Sequence, residues 1–522
     1  MKYRISAGRR VPHEAPSPLV TLGLIAVLGL PGPAGAQTVP YQYSQRGAIG
    51  SGLGQMGVPS GGVFQPRIEG AILYSSNTSL AQSGEDQNDA ASLELSPGFY
   101  ASYSSGAGSA AIDYSMIGRA WEDGDSNDLT HRLEANGEWI ALPEWFSLRG
   151  QASYGDTIID PRDGLNYGGL GTFGQSNLTE VATATGSPIL RHRFKNFEVV
   201  AQYSYGRTWY LDEGKGEPVS GFELGRDAID QSANFSLGTA TDARVSGRVF
   251  YDWQDSDFEN QLPYRFERAG FDGGLQISRT LSLVGDVGKE SELQVSTTEG
   301  GLDEDFWSAG LKWAPNERTS AEARYGERFF GTSYSVAAIH TARLLEFSAS
   351  YSEQPTVETR RLSLSDIVPG ELPTGIPDIE LGLYNRPYVA KSANVGVTAA
   401  GSRTTLSLSG FQYDRDFIDE ALVTETSMGV RLGATRQLAS NLSADLSLSY
   451  SDIERAQDFD DPVVSGISSD YDTQALLRLN RNAGAKLTLS GEAGYFIRSG
   501  ALDYDGWWVG LRAKYEPRAR GE

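Results

Sequence analysis

Most of the chain is written in a two-residue rhythm, and that rhythm restricts the fold more than any other feature. Leu442, Ala444, Leu446, Leu448 and Tyr450 alternate with Ser443, Asp445, Ser447 and Ser449. Phe146, Leu148, Gly150, Ala152 and Tyr154 alternate with Ser147, Arg149, Gln151 and Ser153. The same dyad sets Leu487, Leu489, Gly491, Ala493 and Tyr495 against Lys486, Thr488, Ser490, Glu492 and Gly494. Side chains of a strand point alternately to its two faces, so each segment is a ribbon with one oily and one wet side. Helical periodicity is close to absent, and beyond the amino-terminal region the longest apolar stretches are a few residues. A chain of this kind enters a lipid bilayer only as a closed barrel, because helices and closed barrels alone pair every backbone amide internally.

The links between ribbons also alternate. Long ones run over Asn77 to Asp89, Glu122 to Asp128, Asp156 to Thr179, Leu211 to Asp227, Glu292 to Asp305, Glu353 to Pro387 and Glu454 to Ser469. Between them fall short ones at Leu142 to Trp145, Phe194 to Asn196, Thr241 to Ala243, Pro315 to Arg318, Ala400 to Arg403, Ala439 to Asn441 and Asn480 to Gly484. Long extracellular loops and short periplasmic turns in strict order are the pattern of bacterial outer-membrane barrels. A soluble sandwich array or propeller has no need of that order, and no repeat of blade length is present. The expected fold is all-β: a transmembrane antiparallel up-and-down β-barrel of about 22 strands, within a range of roughly 18 to 24, both termini periplasmic.

At the amino terminus Lys2, Arg4, Arg9 and Arg10 precede an apolar run from Leu19 to Leu30, followed by Ala34-Gly35-Ala36. This order reads as a signal peptide over 1–36 cleaved near Ala36; the run is too short to span as a helix, which takes roughly 18 residues. Residues 37–64, rich in Gly, Ser, Gln and Pro, read as a flexible periplasmic leader too short for a folded plug. The barrel is then expected over 65–515, with a tail at 516–522. There is no cysteine, so an exported chain has no disulfide framework to lean on. Sixty-seven acidic against 44 basic residues, a net charge of −23, argue against nucleic acid as a partner. Outer-membrane lipid and lipopolysaccharide are the expected surroundings.

The wet faces supply candidate lumen-lining residues: Arg132, Glu134, Glu138, Arg149, Arg248, Lys312, Glu322, Arg324, Arg431, Arg478, Lys486, Glu492, Arg512 and Lys514. Barrel interiors are polar whatever they carry, so pairing across the interior is the simplest role for each. The last segment sets Trp507, Val509, Leu511, Ala513 and Tyr515 against Trp508, Gly510, Arg512 and Lys514. It resembles the carboxy-terminal signal read by the barrel-insertion machinery, with Trp507, Gly510, Ala513 and Tyr515 as its positions; Glu516 to Glu522 follow where such signals usually end. A 22-strand barrel encloses space that side chains cannot fill, so it holds water or a plug. The proline-stiffened link from Glu353 to Pro387 is the best candidate to fold inward as an eyelet, with a surface loop as the alternative.

Catalytic and metal chemistry have little support. Of the histidines after the signal peptide, His131 falls near extracellular strand ends, while His192 and His340 fall near periplasmic turns. Asp123, Asp125 and Asn127, with Glu134 further on, approach calcium-loop spacing, but Asp128 stands where the motif needs Gly. These acids, with Asp458, Asp460 and Asp461, read as solvated loops. No catalytic residue, metal or cofactor is expected.

Two stretches, HRLEANGEWIALPEWFSLRGQASYGDTIIDP from His131 to Pro161 and LRHRFKNFEVVAQYSY from Leu190 to Tyr205, resemble the outer-membrane β-barrel porins associated with exopolysaccharide loci. More narrowly, they are similar to the barrel proteins beside PEP-CTERM/exosortase systems. The resemblance implies an outer-membrane channel or accessory barrel for polysaccharide export or surface delivery, partnered with exopolysaccharide and periplasmic export components. The competing expectations are a loop-occluded binding or structural barrel, a general diffusion porin and, from a different class, a barrel hydrolase.

Overall fold

The computed structural model describes residues 61–78, 80–81, 87–122, 128–158, 165–166, 172–173, 178–211, 227–239, 244–259, 263–291, 302–360, 387–417, 424–457, 466–500 and 503–517. The signal-peptide and leader readings over 1–60 lie outside them, as do Asp123, Asp125 and Asn127 and the acids Asp458, Asp460 and Asp461.

The strands are β1 (Gly61–Ser75), β2 (Ala90–Ser105), β3 (Gly108–Trp121), β4 (Asp128–Leu142) and β5 (Phe146–Ile158). A two-residue ribbon follows, β6 (Leu165–Asn166) with β7 (Thr172–Phe173). Then come β8 (Leu178–Arg193), β9 (Phe197–Tyr210), β10 (Ala228–Thr239), β11 (Val245–Phe258), β12 (Tyr264–Gln276) and β13 (Leu281–Glu290). The next are β14 (Glu304–Asn316), β15 (Thr319–Arg328), β16 (Gly331–Thr341), β17 (Leu345–Thr356) and β18 (Tyr388–Ala400). The last are β19 (Thr404–Phe417), β20 (Thr424–Ala439), β21 (Leu442–Gln457), β22 (Gly466–Asn482), β23 (Leu487–Ser499) and β24 (Tyr504–Tyr515).

Apart from β6 and β7, all of them form one 22-stranded sheet in which each strand pairs antiparallel with its chain neighbours. The sheet closes where β1 meets β24, from Ile68 opposite Tyr515 to Ser75 opposite Trp508. The barrel expected from the dyads is therefore present with 22 strands. Its first strand starts at Gly61, so Gly61 to Phe64, expected in the leader, belong to the wall. Alternation is weak there because Gly61 and Gly62 have no side chain to declare a face.

The strand ends joined by the seven short links fall at one end of the barrel and those joined by the seven long links at the other, while Thr241 to Ala243 and most of the long links lie outside the described residues. Short hairpins also occur at the long-loop end: β23 and β24 join over residues 500–503, and β15 and β16 join through Phe329 and Phe330 alone, with Gly331 at φ +104° taking the left-handed turn position. Prolines sit within the wall at Pro66, Pro97, Pro188, Pro315 and Pro355, and at Pro97 and Pro188 the missing N–H costs a ladder bond with the next strand. The β2–β3 register is interrupted between Leu95 and Gly98, at Pro97, and the β8–β9 register between Gly186 and Ile189, at Pro188. Each of these two prolines keeps its place in the ladder on its other side, opposite Ile68 and Leu148 respectively.

The outward face is apolar and exposed. On β1 it carries Phe64, Ile68, Ile72 and Tyr74, while Arg67, Glu69, Ala71 and Leu73 point inward. Phe64 and Tyr74 are ten residues apart, about 25 Å along the barrel axis at ~3.3 Å per residue and ~40° tilt. That matches the height of an outer-membrane apolar band. Aromatic pairs mark both limits: Phe64 lies 5.6 Å from Phe99 near the short turns, and Tyr74 lies 5.6 Å from Trp507 near the long loops. Among the described residues no helix is long and apolar enough to cross a membrane.

Candidate functional site in the barrel lumen

The inward faces carry a wall of paired charge. In the half nearer the short turns, Arg149 lies 3.3 Å from Glu138, Lys312 lies 3.9 Å from Glu322, and Arg512 is bonded to Glu69 across the closing seam. Lys514 reaches Glu516 at 2.6 Å. Arg478 and Glu492 pair at 2.6 Å with both side chains buried. Arg248 sits over the Phe250 ring and Arg431 over Phe411, at 5.8 and 5.6 Å. Farther toward the long loops, Arg132 pairs with Glu134 at 2.8 Å. Arg324 joins Glu322 at 2.7 Å and Asp272 at 3.0 Å. Thirteen of the fourteen expected residues thus share the inward parity. Lys486 differs: β23 begins one residue later, and Lys486 is exposed in the turn before it.

A denser network occupies the long-loop half. Glu290, fully buried, accepts from Arg328 at 2.7 Å and from the Phe329 N–H at 2.8 Å. Arg268 bonds Asp286, and its guanidinium lies 4.0 Å from the centre of the Phe306 ring. Asp286 also faces Arg324 at 3.6 Å. Buried ions persist only when paired and hydrogen-bonded, and here each bond is charge-assisted.

The chain leaving β17 then turns into the lumen. Val357, Glu358 and Thr359 are 0 % exposed, and a helical turn begins over Glu358, Thr359 and Arg360. Glu358 accepts from the Tyr388 hydroxyl at 3.0 Å and faces Arg415 at 3.7 Å. Arg415, itself wholly buried on β19, is also bonded to Glu425 of β20. Thr359 donates to Asp230 on β10 at 3.3 Å, and Arg360 to the Gln231 carbonyl at 3.3 Å. Val357 packs with Ala228, Phe258, Tyr264, Phe266 and Val389, with Phe329 and Phe330 of the short hairpin beside them. This strap therefore joins the β17–β19 wall to the β10–β12 wall. The eyelet expected from Glu353 to Pro387 is inward over its first part: Glu353 to Thr356 extend β17, Val357 to Arg360 form the strap, and residues 361–386 lie outside the described residues.

A second inward apolar patch, unsuspected from sequence, lies beside the closing seam. Ala71, Leu73, Phe496, Tyr504 and Trp508 are buried together, with Leu80, Trp121 and Leu476 against them. Gly494 makes it possible, since a Cβ there collides with the Trp508 indole. On β24 the positions of the terminal signal divide by face: Trp507, Ala513 and Tyr515 point outward and Gly510 inward.

The network of Arg268, Glu290, Arg328 and Arg415 is missing from the sequence-based set. Near the long loops the strands rise past the lipid band and both faces turn polar, as in Asp414-Arg415-Asp416. The signal that remains there is parity carried up from Leu406 and Leu408.

The histidines stand apart. His131, at the long-loop end, shares a 2.8 Å hydrogen bond with Tyr114. His192 stacks on Trp145 with ring centres 3.5 Å apart, and His340 bonds Thr319 at 2.8 Å, both at the short-turn end. Among the described residues no three His, Asp or Glu side chains converge as a metal site.

No family model matches the chain, and no curated protein matches it either. Solved structures do match. The FrpB iron transporter of Neisseria meningitidis (F3-3 variant) is similar at 8 % identity and a TM-score of 0.50, over 87 % of this chain and 81 % of its own. The siderophore receptor PirA of Acinetobacter baumannii gives 8 % identity and 0.46, over 88 % and 81 %. A point mutant of the ferric enterobactin receptor PfeA of Pseudomonas aeruginosa gives 11 % and 0.46, over 87 % and 80 %. The likeness to FrpB is one of fold: this chain is a β-barrel of the outer-membrane type. Cargo does not carry across at 8 % identity.

Proposed function

We propose that the protein is an outer-membrane channel serving exopolysaccharide export or surface delivery, held shut at its long-loop mouth by the strap. The observation carrying this reading is the contrast along the lumen. Toward the short turns the wall carries both charges and is open in part, with Arg149 and Lys312 side chains 41 % and 51 % exposed and the Arg478–Glu492 pair buried. At the other mouth Val357, Glu358 and Thr359 of the strap are fully buried. Guanidinium, carboxylate and hydroxyl groups beside aromatic rings suit a hydroxyl-rich chain, which needs both donors and acceptors and packs its C–H faces on rings. The resemblance of His131 to Pro161 and Leu190 to Tyr205 to exopolysaccharide-associated barrels supports the cargo. On this reading the role is non-enzymatic, the outward aromatics contact lipid and lipopolysaccharide, the last strand is read by the insertion machinery, and export components meet the barrel from the periplasm.

The seated strap also favours a second reading, a loop-occluded barrel that binds or scaffolds without conducting. Conductance in planar bilayers separates the two. The channel reading expects small or rare openings from the full chain and steady multi-ion current once residues 357–386 are deleted. A deletion variant that stays silent supports the scaffold. Loss of surface polysaccharide, with retention in the periplasm, when the protein is removed from its cell tests the cargo.

A further inference from the structure

Glu358 ties the strap to the β18–β20 wall, and what receives it is a preformed carboxylate site. The Tyr388 hydroxyl donates to it at 3.0 Å and the Arg415 guanidinium faces it at 3.7 Å. Both groups are fixed without the strap. Arg415 is anchored by Glu425 and flanked by the Tyr388 and Phe417 rings at 5.6 and 5.9 Å, and the Tyr388 hydroxyl lies 3.3 Å from that of Tyr413. When Glu358 leaves, the guanidinium keeps Glu425 and the phenol keeps Tyr413, so each retains a partner in the wall.

We propose that Tyr388 and Arg415 form a carboxylate-binding site in the lumen, which Glu358 fills in cis and from which the carboxylates of a uronic-acid polysaccharide displace it, releasing the strap. The inference rests on the channel reading and adds a cargo class and a trigger. A planar guanidinium and a phenol donor fit a sugar carboxylate as they fit that of Glu358. A neutral polysaccharide brings hydroxyls alone and cannot replace the charge. The polymer presents many carboxylates in series, so the local concentration at the site exceeds that of a monomeric acid.

The test uses the full chain in planar bilayers with polygalacturonate, dextran of matched length and dextran sulfate as probes. Polygalacturonate is expected to raise the open fraction about tenfold, the scale of one charge-assisted hydrogen bond, and dextran to leave it unchanged. Glu358→Gln is expected to open to a similar degree without any polymer and to lose the response; Tyr388→Phe, which leaves the ion pair in place, falls between. Equal opening by dextran, or by dextran sulfate in place of polygalacturonate, overturns the assignment. So does a Glu358→Gln variant that behaves as wild type while the 357–386 deletion conducts, a result that leaves the channel reading standing. Silence of the deletion variant strikes that reading instead.

Discussion

Arg478 and Glu492 face each other across β22 and β23, Nε to Oε1 at 2.6 Å, with side chains 3 % and 1 % exposed. The pair sits on the inward face, between the outward Leu477 and Leu479 on one strand and Ala493 on the other. Removing Arg478 takes the guanidinium from the buried Glu492 carboxylate, a loss of roughly 3–5 kcal/mol, and removing Glu492 takes from buried Arg478 its 2.6 Å carboxylate. Arg478→Met and Glu492→Leu are each expected to lower the unfolding midpoint of the detergent-solubilised barrel strongly. Their combination is expected to recover most of it, because two apolar residues of similar volume replace a pair whose desolvation cancels much of its attraction. Gel mobility of heated and unheated samples reads the transition.

The two faces of β24 predict opposite tolerance. Leu511 is 69 % exposed on the lipid side, and Lys514 lies inward three residues on. Leu511→Lys near the middle of the lipid band is expected to cost about 2–4 kcal/mol and reduce insertion. Lys514→Gln is expected to leave both insertion and stability near wild type, since its partner Glu516 is partly hydrated. Folding into vesicles followed by protease protection measures the difference.

Tyr264 is buried in the seat of the strap, and among the described residues its hydroxyl has no hydrogen-bond partner. A buried unsatisfied hydroxyl costs roughly 1–3 kcal/mol, so Tyr264→Phe is expected to be neutral or stabilising and to lower the open fraction. Urea titration and single-channel recording check the two halves of that statement. A marked loss of stability in the variant contradicts the packing described for the seat.

How much of this was legible in the sequence follows from where lipid touches the chain. Between the girdles one face of each strand must be apolar, so Leu446, Leu448 and Tyr450 against Ser447 and Ser449 declare strand, face and register at once. That constraint yielded the strand number and the inward set from Arg132 to Lys514. It fails where lipid does not reach: Asp414, Arg415 and Asp416 are all polar, and only one of them points into the lumen. It also fails for long-range contact. Nothing in Val357-Glu358-Thr359-Arg360 announces that the segment meets Asp230 and Gln231 on a strand seven places away along the wall. The dyad continues through Lys486, yet the hairpin turn claims that residue first.

The central claim is that the dyad divides lipid from lumen, and the absence of cysteine makes it directly measurable. Single cysteines placed in turn from Ile68 to Tyr74, spin-labelled and read in proteoliposomes by collision with oxygen, report contact with lipid residue by residue. The account predicts maxima at 68, 70, 72 and 74, with minima at 69, 71 and 73. A flat profile, or a processed chain that stays dispersed in water without detergent, contradicts it.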